Sequence, residues 1–308
     1  MPRLSFGIVT PSYNQARFLP DTLDSVVQQR GDFAIDYVVM DGGSTDGSVD
    51  ILEAYARKLE LGEIRPGCKA LRFRWFSLPD AGQYDAVNRG FDRLEGDILA
   101  YLNSDDVYLP NALGVVHAVF SSFDDVRWVT SGMPAQINED REIIGVDFRD
   151  GFCRDWFLGG QHLPGTTGFF RWVIQQDCTF WRRELWNRVG PFDARYRYAG
   201  DFEMWLRMFR HAELYTLRTL VGAFRVHAAQ KTSQLELYCE EARQILLGGG
   251  GRVPGRLSRS LRGAVHWKLQ RVERFRRLAT ALLGGHLIPF VEFDWASGTW
   301  RAERRRYV

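Results

Sequence analysis

Two adjacent carboxylates, Asp105 and Asp106, follow the apolar run Ile98–Leu102. Side by side at a strand end they repel unless a cation neutralises them. That points to Mg²⁺ or Mn²⁺ held jointly with diphosphate oxygens. A turn ahead of Pro110 would use aspartate in the same place, so the pair alone leaves both readings open. Tyr13 and Asn14 follow another apolar run, Leu4–Thr10. An aromatic ring there can stack on a base, and Asp41, closing the run Tyr37–Asp41, can accept from a ring N–H. A capping turn accounts for Ser12 and Asn14 but does not require Tyr13. Asp201 stands immediately before Phe202–Ala212, whose apolar residues fall at 202, 205, 206 and 209, the spacing of an amphipathic helix. Its local reading is a helix N-cap.

Such residues need elements that bring them together. Leu4–Thr10, Tyr37–Asp41, Leu71–Leu78 and Asp97–Leu102 read as strands. Between and after them, Phe18–Gln29, a segment capped near Ser44–Gly47 and ending near Glu60, Tyr84–Leu94 and Asn111–Phe120 read as helices. This alternation predicts an α/β fold with a mainly parallel sheet and helices on both faces. Ligands of such open sheets bind beyond the carboxyl ends of the strands. Four successive strand ends here carry polar loops: Thr10–Asn14, Asp41–Asp46, Pro79–Gln83 and Asn103–Asp106. Core packing does not explain four of them.

Composition narrows the class further. Of 308 residues, 45% are hydrophobic and 25% charged, values of a globular chain. The four cysteines, Cys68, Cys153, Cys178 and Cys239, form no CxxC pair, which excludes a zinc ribbon and fits a reducing cytosol. The apolar run at the N-terminus is too short for a secretory signal, and Leu278–Phe293 is too broken to span a bilayer. The expectation is a soluble cytoplasmic protein. No P-loop lysine motif and no GxGxxG occur, which argues against ATPases and dinucleotide oxidoreductases.

Read together, Thr10-Pro-Ser-Tyr-Asn14, Asp41-Gly-Gly-Ser-Thr-Asp-Gly-Ser48, Asp80-Ala-Gly-Gln-Tyr-Asp-Ala-Val-Asn88 and Asn103-Ser-Asp-Asp106 closely resemble family-2 glycosyltransferases of the GT-A fold. Gln176–Trp181, Gly190–Asp193, Gly200–Arg207 and Phe224–His227 look like later motifs of that family, in the same order. The resemblance covers about residues 3–235. It implies a Rossmann-like sheet and inverting transfer of a sugar from a nucleotide-diphosphate donor, a UDP-sugar, to a glycan or lipid-linked acceptor. It implies further that Thr10, Ser12, Tyr13 and Asp41 hold base and ribose, and that Asp80 and Asn88 complete the nucleotide pocket. Asp105 would contact the ribose, Asp106 would coordinate Mn²⁺ or Mg²⁺, and His227 would be a further metal or diphosphate ligand. Asp201 matches the catalytic base. Many members read Glu-Asp where this chain has Gly200-Asp201, which leaves Glu203 as a weaker candidate.

The expected organisation is a GT-A domain over 1–235, divided into a nucleotide half (1–122) and an acceptor half (123–235). A helical, basic C-terminal extension over 236–308 follows. Trp156, Phe169, Phe170, Trp172 and Trp181 make the middle region aromatic-dense, fitting either an acceptor groove or a core. Gly248–Gly251 reads as a flexible linker. From Gly249 onward thirteen Arg or Lys face four Asp or Glu, a balance of +9 against −7 for the rest. This tail, separable from the chemistry, is expected to meet an anionic membrane surface; oligomer contacts and plain solvation compete. No motif supports nucleic-acid binding. Two rival functions remain: a nucleotidyltransferase, whose Gly-rich Arg/Lys loop after the first strand is missing, and a non-catalytic module, against which retained Asp106 and Asp201 argue.

Overall fold

The structure is a computed structural model that describes residues 4–164, 173–228, 230, 234–253 and 286–307. Its strands are β1 (Phe6–Ser12), β2 (Gly31–Asp41), β3 (Cys68–Ser77), β4 (Ile98–Tyr101), β5 (Val107–Tyr108), β6 (Trp128–Ser131), β7 (Ala135–Ile137), β8 (Ile143–Val146), β9 (Thr179–Arg182), β10 (Leu214–Leu217), β11 (Gly222–Arg225), β12 (His286–Asp294) and β13 (Thr299–Tyr307). The helices are α1 (Leu19–Val27), α2 (Ser48–Glu60), α3 (Gln83–Phe91), α4 (Ala112–Ser122), α5 (Arg154–Leu158), α6 (Arg183–Val189), α7 (Gly200–His211) and α8 (Leu235–Gly248).

Nine strands form a central sheet in the order β13-β12-β10-β6-β9-β4-β1-β2-β3. Its pairings are parallel except those of β9 with β4 and β6 and of β13 with β12. The expected α/β architecture is the observed one. Strand alternation divides the apolar residues between two cores. Val9, Val38 and Met40 point to one face, with α3 and α7, while Ile8, Tyr37 and Val39 point to the other, with α1 and α4. Both faces are covered, so the first strand is buried along its whole length. A smaller sheet, β5-β11-β7-β8, lies beyond the end of β4. Its strands β5 and β11 begin right after Asp106 and end just before His227, so this sheet sets the geometry of the acidic loop.

The C-terminal expectation needs correcting. Residues 236–308 are not a helical extension throughout. α8 is helical, residues 254–285 lie outside the described residues, and 286–307 form a β-hairpin. β12 pairs in parallel with β10, Thr216 opposite Phe290, and buries Ile288, Phe290 and Val291 completely or nearly so. The hairpin is therefore part of the central sheet and not a separable tail. A sequence signal existed: the apolar-rich Leu287–Phe293 runs into Asp294–Gly298, and Gly298 takes φ 67, as a tight turn demands. Much of the hairpin's basic charge is locally neutralised, Arg301 pairing with Asp294, Arg304 with Glu213 and Arg305 with Glu292. Of the glycine run, Gly249–Gly251 close α8, their N–H groups bonding Ile245, Leu247 and Leu246 carbonyls. Among the described residues no helix is long and apolar enough to cross a membrane.

Candidate active site

The strand-end loops are tied to one another by backbone and short polar side chains. Asn14, at φ 53, accepts from Thr45 N through its side chain while its own N–H donates to Ser44 Oγ. Ala16 N donates to Asp46 Oδ2, Gly42 N to Ser12 O, and Leu78 N to Asp41 O. Asp41 is the hub. Its buried carboxylate accepts from Gly43 N, Ser44 N, Ser44 Oγ and Ser77 Oγ, at 2.5–3.0 Å. It thus builds the loop and is not an open acceptor. Gly42 is needed for a close approach, because a Cβ there would lie 2.8 Å from Asp80 Oδ2 and 3.3 Å from Tyr13.

These loops open onto a cleft of about 870 Å³ at the carboxyl end of the sheet. Ser12, Tyr13, Asp80, Asp105 and Asp201 line it, five of the expected site residues. Tyr13 is 62% exposed, free to offer its ring. Ser12 Oγ is buried without a hydrogen-bond partner among the described residues, a polar atom that a bound group could satisfy. Thr10 and Asn88 do not line the cleft. Thr10 Oγ1 bonds the Tyr37 hydroxyl inside the fold at 2.9 Å. Asn88 donates to Phe192 O and accepts from Phe192 N, pinning α3 to the loop before α7. Both support the site from behind.

Asp105 and Asp106 play different parts. Asp106 is fully buried; its Oδ1 accepts from Arg225 N at 2.9 Å and its Oδ2 from Asn103 Nδ2 at 3.2 Å. Burial first, then Asp105 and Asp177 nearby, push its carboxyl well above the ordinary carboxylate range. Asp177, also buried in the cleft wall, is pushed up to about 6 by burial. Three crowded acids of this kind favour a hard cation, and their oxygens fit Mg²⁺ or Mn²⁺. They are not a closed cage. Among the described residues, the set of three ligand atoms within 4.8 Å of one another is Cys153, Asp155 and His286, elsewhere. There Asp155 pairs with His286 at 3.6 Å and fastens β12 to α5. An ion at Asp106 would thus need ligands from the diphosphate.

His227 is buried beside this loop, its Nε2 3.0 Å from Asp105 Oδ2 and its ring against Phe18. Arg225, which sequence reasoning passed over, is fully buried and organises the loop. Its guanidinium donates to Asp105 O, Asn138 O, Glu139 O and Asp21 Oδ2, and lies 4.8 Å over the Phe18 ring. A buried arginine is rare without such partners. Its place in Phe224-Arg-Val-His227 was the available signal.

Asp201, in the first turn of α7, also lines the cleft. Its Oδ1 accepts from Phe202 N at 2.7 Å and from the Tyr238 hydroxyl at 3.1 Å. Its N–H donates to the Tyr84 hydroxyl, which donates on to Tyr198 O. A helix N-terminus lowers a carboxyl pKa. Here burial outweighs it and raises Asp201 to about 6. Glu203, the weaker candidate, is committed to Arg207 at 2.7 Å and does not line the cleft.

Of the two readings of the aromatic-dense middle region, the described members Trp181 and Trp156 take the core one. Trp181 is fully buried among Phe91, Phe192 and Trp205, and Trp156 packs on His162 and His286. Phe169, Phe170 and Trp172 lie outside the described residues. Among the described residues, the cleft's rings are Phe224 and six tyrosines, Tyr238 among them. Tyr238 sits on α8, beyond the span of the motif resemblance, so no motif pointed to it.

A nine-stranded, largely parallel sheet with polar strand-end loops around one cleft defines a GT-A-type transferase. The chain belongs to glycosyl transferase family 2, whose profile matches residues 7–178, and it is a glycosyltransferase. It is 33% identical over 215 residues to a PGL/p-HBAD biosynthesis glycosyltransferase of Mycobacterium tuberculosis, covering 68% of this chain and 72% of that one. An uncharacterized glycosyltransferase of the same species is 28% identical over 220 residues, 71% of this chain and 74% of that one. Among solved structures, the mannosyltransferase PcManGT from Pyrobaculum calidifontis, in complex with GDP-Man and Mn²⁺, superposes with TM-score 0.57 at 18% identity, over 91% of this chain and 76% of that one. S. aureus TarS 1-349 with UDP-GlcNAc gives 0.56 at 17%, over 79% and 65%. The chain spans 41% of a longer TarS structure.

Proposed function

We propose that this glycosyltransferase moves a sugar from a UDP-linked donor to a hydroxyl of a glycan or lipid-linked acceptor, with inversion. The observation that carries the reading is the position of Asp201. Its carboxyl, raised to about 6, lines the same cleft as Ser12, Tyr13, Asp80 and Asp105. A base of that strength is ionised at neutral pH yet still takes a proton efficiently. Asp201 accepts the acceptor hydroxyl's proton as its oxygen attacks the anomeric carbon from the face opposite the departing diphosphate. Tyr13, Ser12 and Asp80 hold the nucleoside, while Asp41, Thr10 and Asn88 keep their loops in place. Asp106 and Asp105 would hold Mn²⁺ or Mg²⁺, which neutralises charge on the leaving diphosphate when bound. His227 steadies Asp105, with Nε2 3.0 Å from its Oδ2. Support for a nucleotide-sugar donor comes from the neighbours solved with UDP-GlcNAc and GDP-Man.

The test is donor turnover with UDP-GlcNAc, UDP-Glc and GDP-Man, each with and without Mn²⁺. Metal-dependent release of UDP is the expected result. Turnover of GDP-Man alone would move the donor to the guanine class. Release of pyrophosphate from a nucleoside triphosphate would favour the nucleotidyltransferase reading.

A further inference from the structure

α8 lies beyond the family-matched residues 7–178, yet it makes direct contact with the proposed base. The Tyr238 hydroxyl donates to Asp201 Oδ1 at 3.1 Å. Three residues on, the Glu241 carboxylate accepts the backbone N–H groups of Arg197, Tyr198 and Ala199 at 3.0, 2.7 and 2.5 Å. Gln234 accepts from the Tyr198 hydroxyl at 2.7 Å. These partners are the residues that lead into α7, which starts at Gly200. We propose that α8 is a positioning element of this active site, in which Tyr238 orients the Asp201 carboxylate and Glu241 fixes the turn that delivers it.

The inference rests on Asp201 being the base. Tyr238 and Phe202 N hold Oδ1, with the Tyr84 hydroxyl a longer third donor at 3.5 Å, and Oδ2 has no hydrogen-bond partner among the described residues. One oxygen is anchored, and the other is left for an acceptor hydroxyl. The groups facing Asp201 are Tyr84 from α3, Tyr101 from β4 and Tyr238 from α8, with Glu241 one step behind and Arg195 and Arg197 on the same cleft. Burial pushes all three phenols well above their usual range, so they stay neutral donors wherever the enzyme works.

The contact predicts a sign that mere scaffolding does not. A phenol donating to a carboxylate favours its ionised form, so losing the donor raises the Asp201 midpoint. Loosened packing would admit water and lower it toward the ordinary value. The experiment is Tyr238→Phe in the full chain, with Asp201 followed by carboxyl ¹³C NMR, its signal identified by its loss in Asp201→Asn. The pH profiles of kcat and KM are measured in parallel. The midpoint should rise by roughly one unit, the size expected for losing a hydrogen bond to a charged group. The acid limb of kcat should move with it, and KM for the donor should stay within about twofold. A midpoint that stays or falls overturns the inference. A midpoint that rises while the kcat profile stays put instead removes Asp201 from the base role. Should Tyr238→Phe fail to fold, difluorotyrosine at position 238 keeps the shape and strengthens the donor. The midpoint must then fall, and any other result counts against the contact.

Discussion

Tyr84 and Gly200 are in contact so close that no side chain fits between them. A Cβ built on Gly200 would stand 2.6 Å from Tyr84 Cε2 and 2.9 Å from its Cζ. The ring itself is held by stacking on Phe192 at 5.4 Å and by its hydroxyl bonds to Asp201 N and Tyr198 O. This explains the missing carboxylate before Asp201: a glutamate at 200 would have to displace the phenol that receives the base's own N–H. Gly200→Ala should cost about 1–3 kcal/mol by overpacking and lower transfer with it. In a double-mutant cycle with Tyr84→Leu most of that cost should disappear. A cost unchanged by the second substitution would show that the ring is not the obstacle.

Asp201→Asn should bind UDP normally while transfer drops on the order of 10²–10⁴-fold. Wild-type kcat should fall about tenfold per pH unit below roughly 6, as the base takes up a proton. The stability effect has the opposite sign. The folded carboxyl titrates near 6 and the unfolded one near 3.8, so folding carries a penalty that is absent below 3.8, grows between the two values and is full above 6. Asp201→Asn should therefore melt higher than the wild type at pH 7, by at most roughly 3 kcal/mol, and equally with it near pH 4. Calorimetry at the two pH values checks both.

Asp106→Asn should abolish the Mn²⁺ dependence of UDP affinity. Isothermal titration with and without Mn²⁺ reads this directly. Equal wild-type affinity in both conditions would remove the ion from the proposed site.

Arg225→Met should weaken the acidic loop, because it removes the guanidinium that holds the Asp105 carbonyl. The carbonyls of Asp105, Asn138 and Glu139 would lose their donor while Asp21 keeps Arg141, a change that typically costs about 1–3 kcal/mol. UDP affinity in Mn²⁺ should fall with stability, and Arg225→Lys should rescue little, since an ammonium lacks the planar fork.

Phe290→Ala should cost about 3–5 kcal/mol, and a chain ending at Val253 should be unstable, because either change strips the covered edge of β10. A truncated chain that melts like the wild type would restore the picture of a separable tail.

The sequence by itself determined the alternation of β1–β4 with α1–α4 and the acidic end of β4. Both are written in local pattern: apolar runs of strand length, helical periodicity, and polar loops at fixed places after each strand. Family motifs in the same order marked Asp201 and Asp106, because short motifs keep chemistry and loop geometry together. Tertiary structure decided which polar residues face the cleft. Thr10, Asp41 and Asn88 carry the same kinds of groups as Ser12 and Asp80, but their partners are Tyr37, the 43–44 turn with Ser77, and Phe192. Direction is a property of packing and not of residue type. Only the fold could bring Tyr238 to Asp201 across 37 positions, or bury Arg225 against Asp21 across 204. Only sheet pairing could turn a basic C-terminal stretch into the strands beside β10. Such contacts are set by what a side chain meets after the sheet closes, and burial then decides how strongly Asp201 holds its proton.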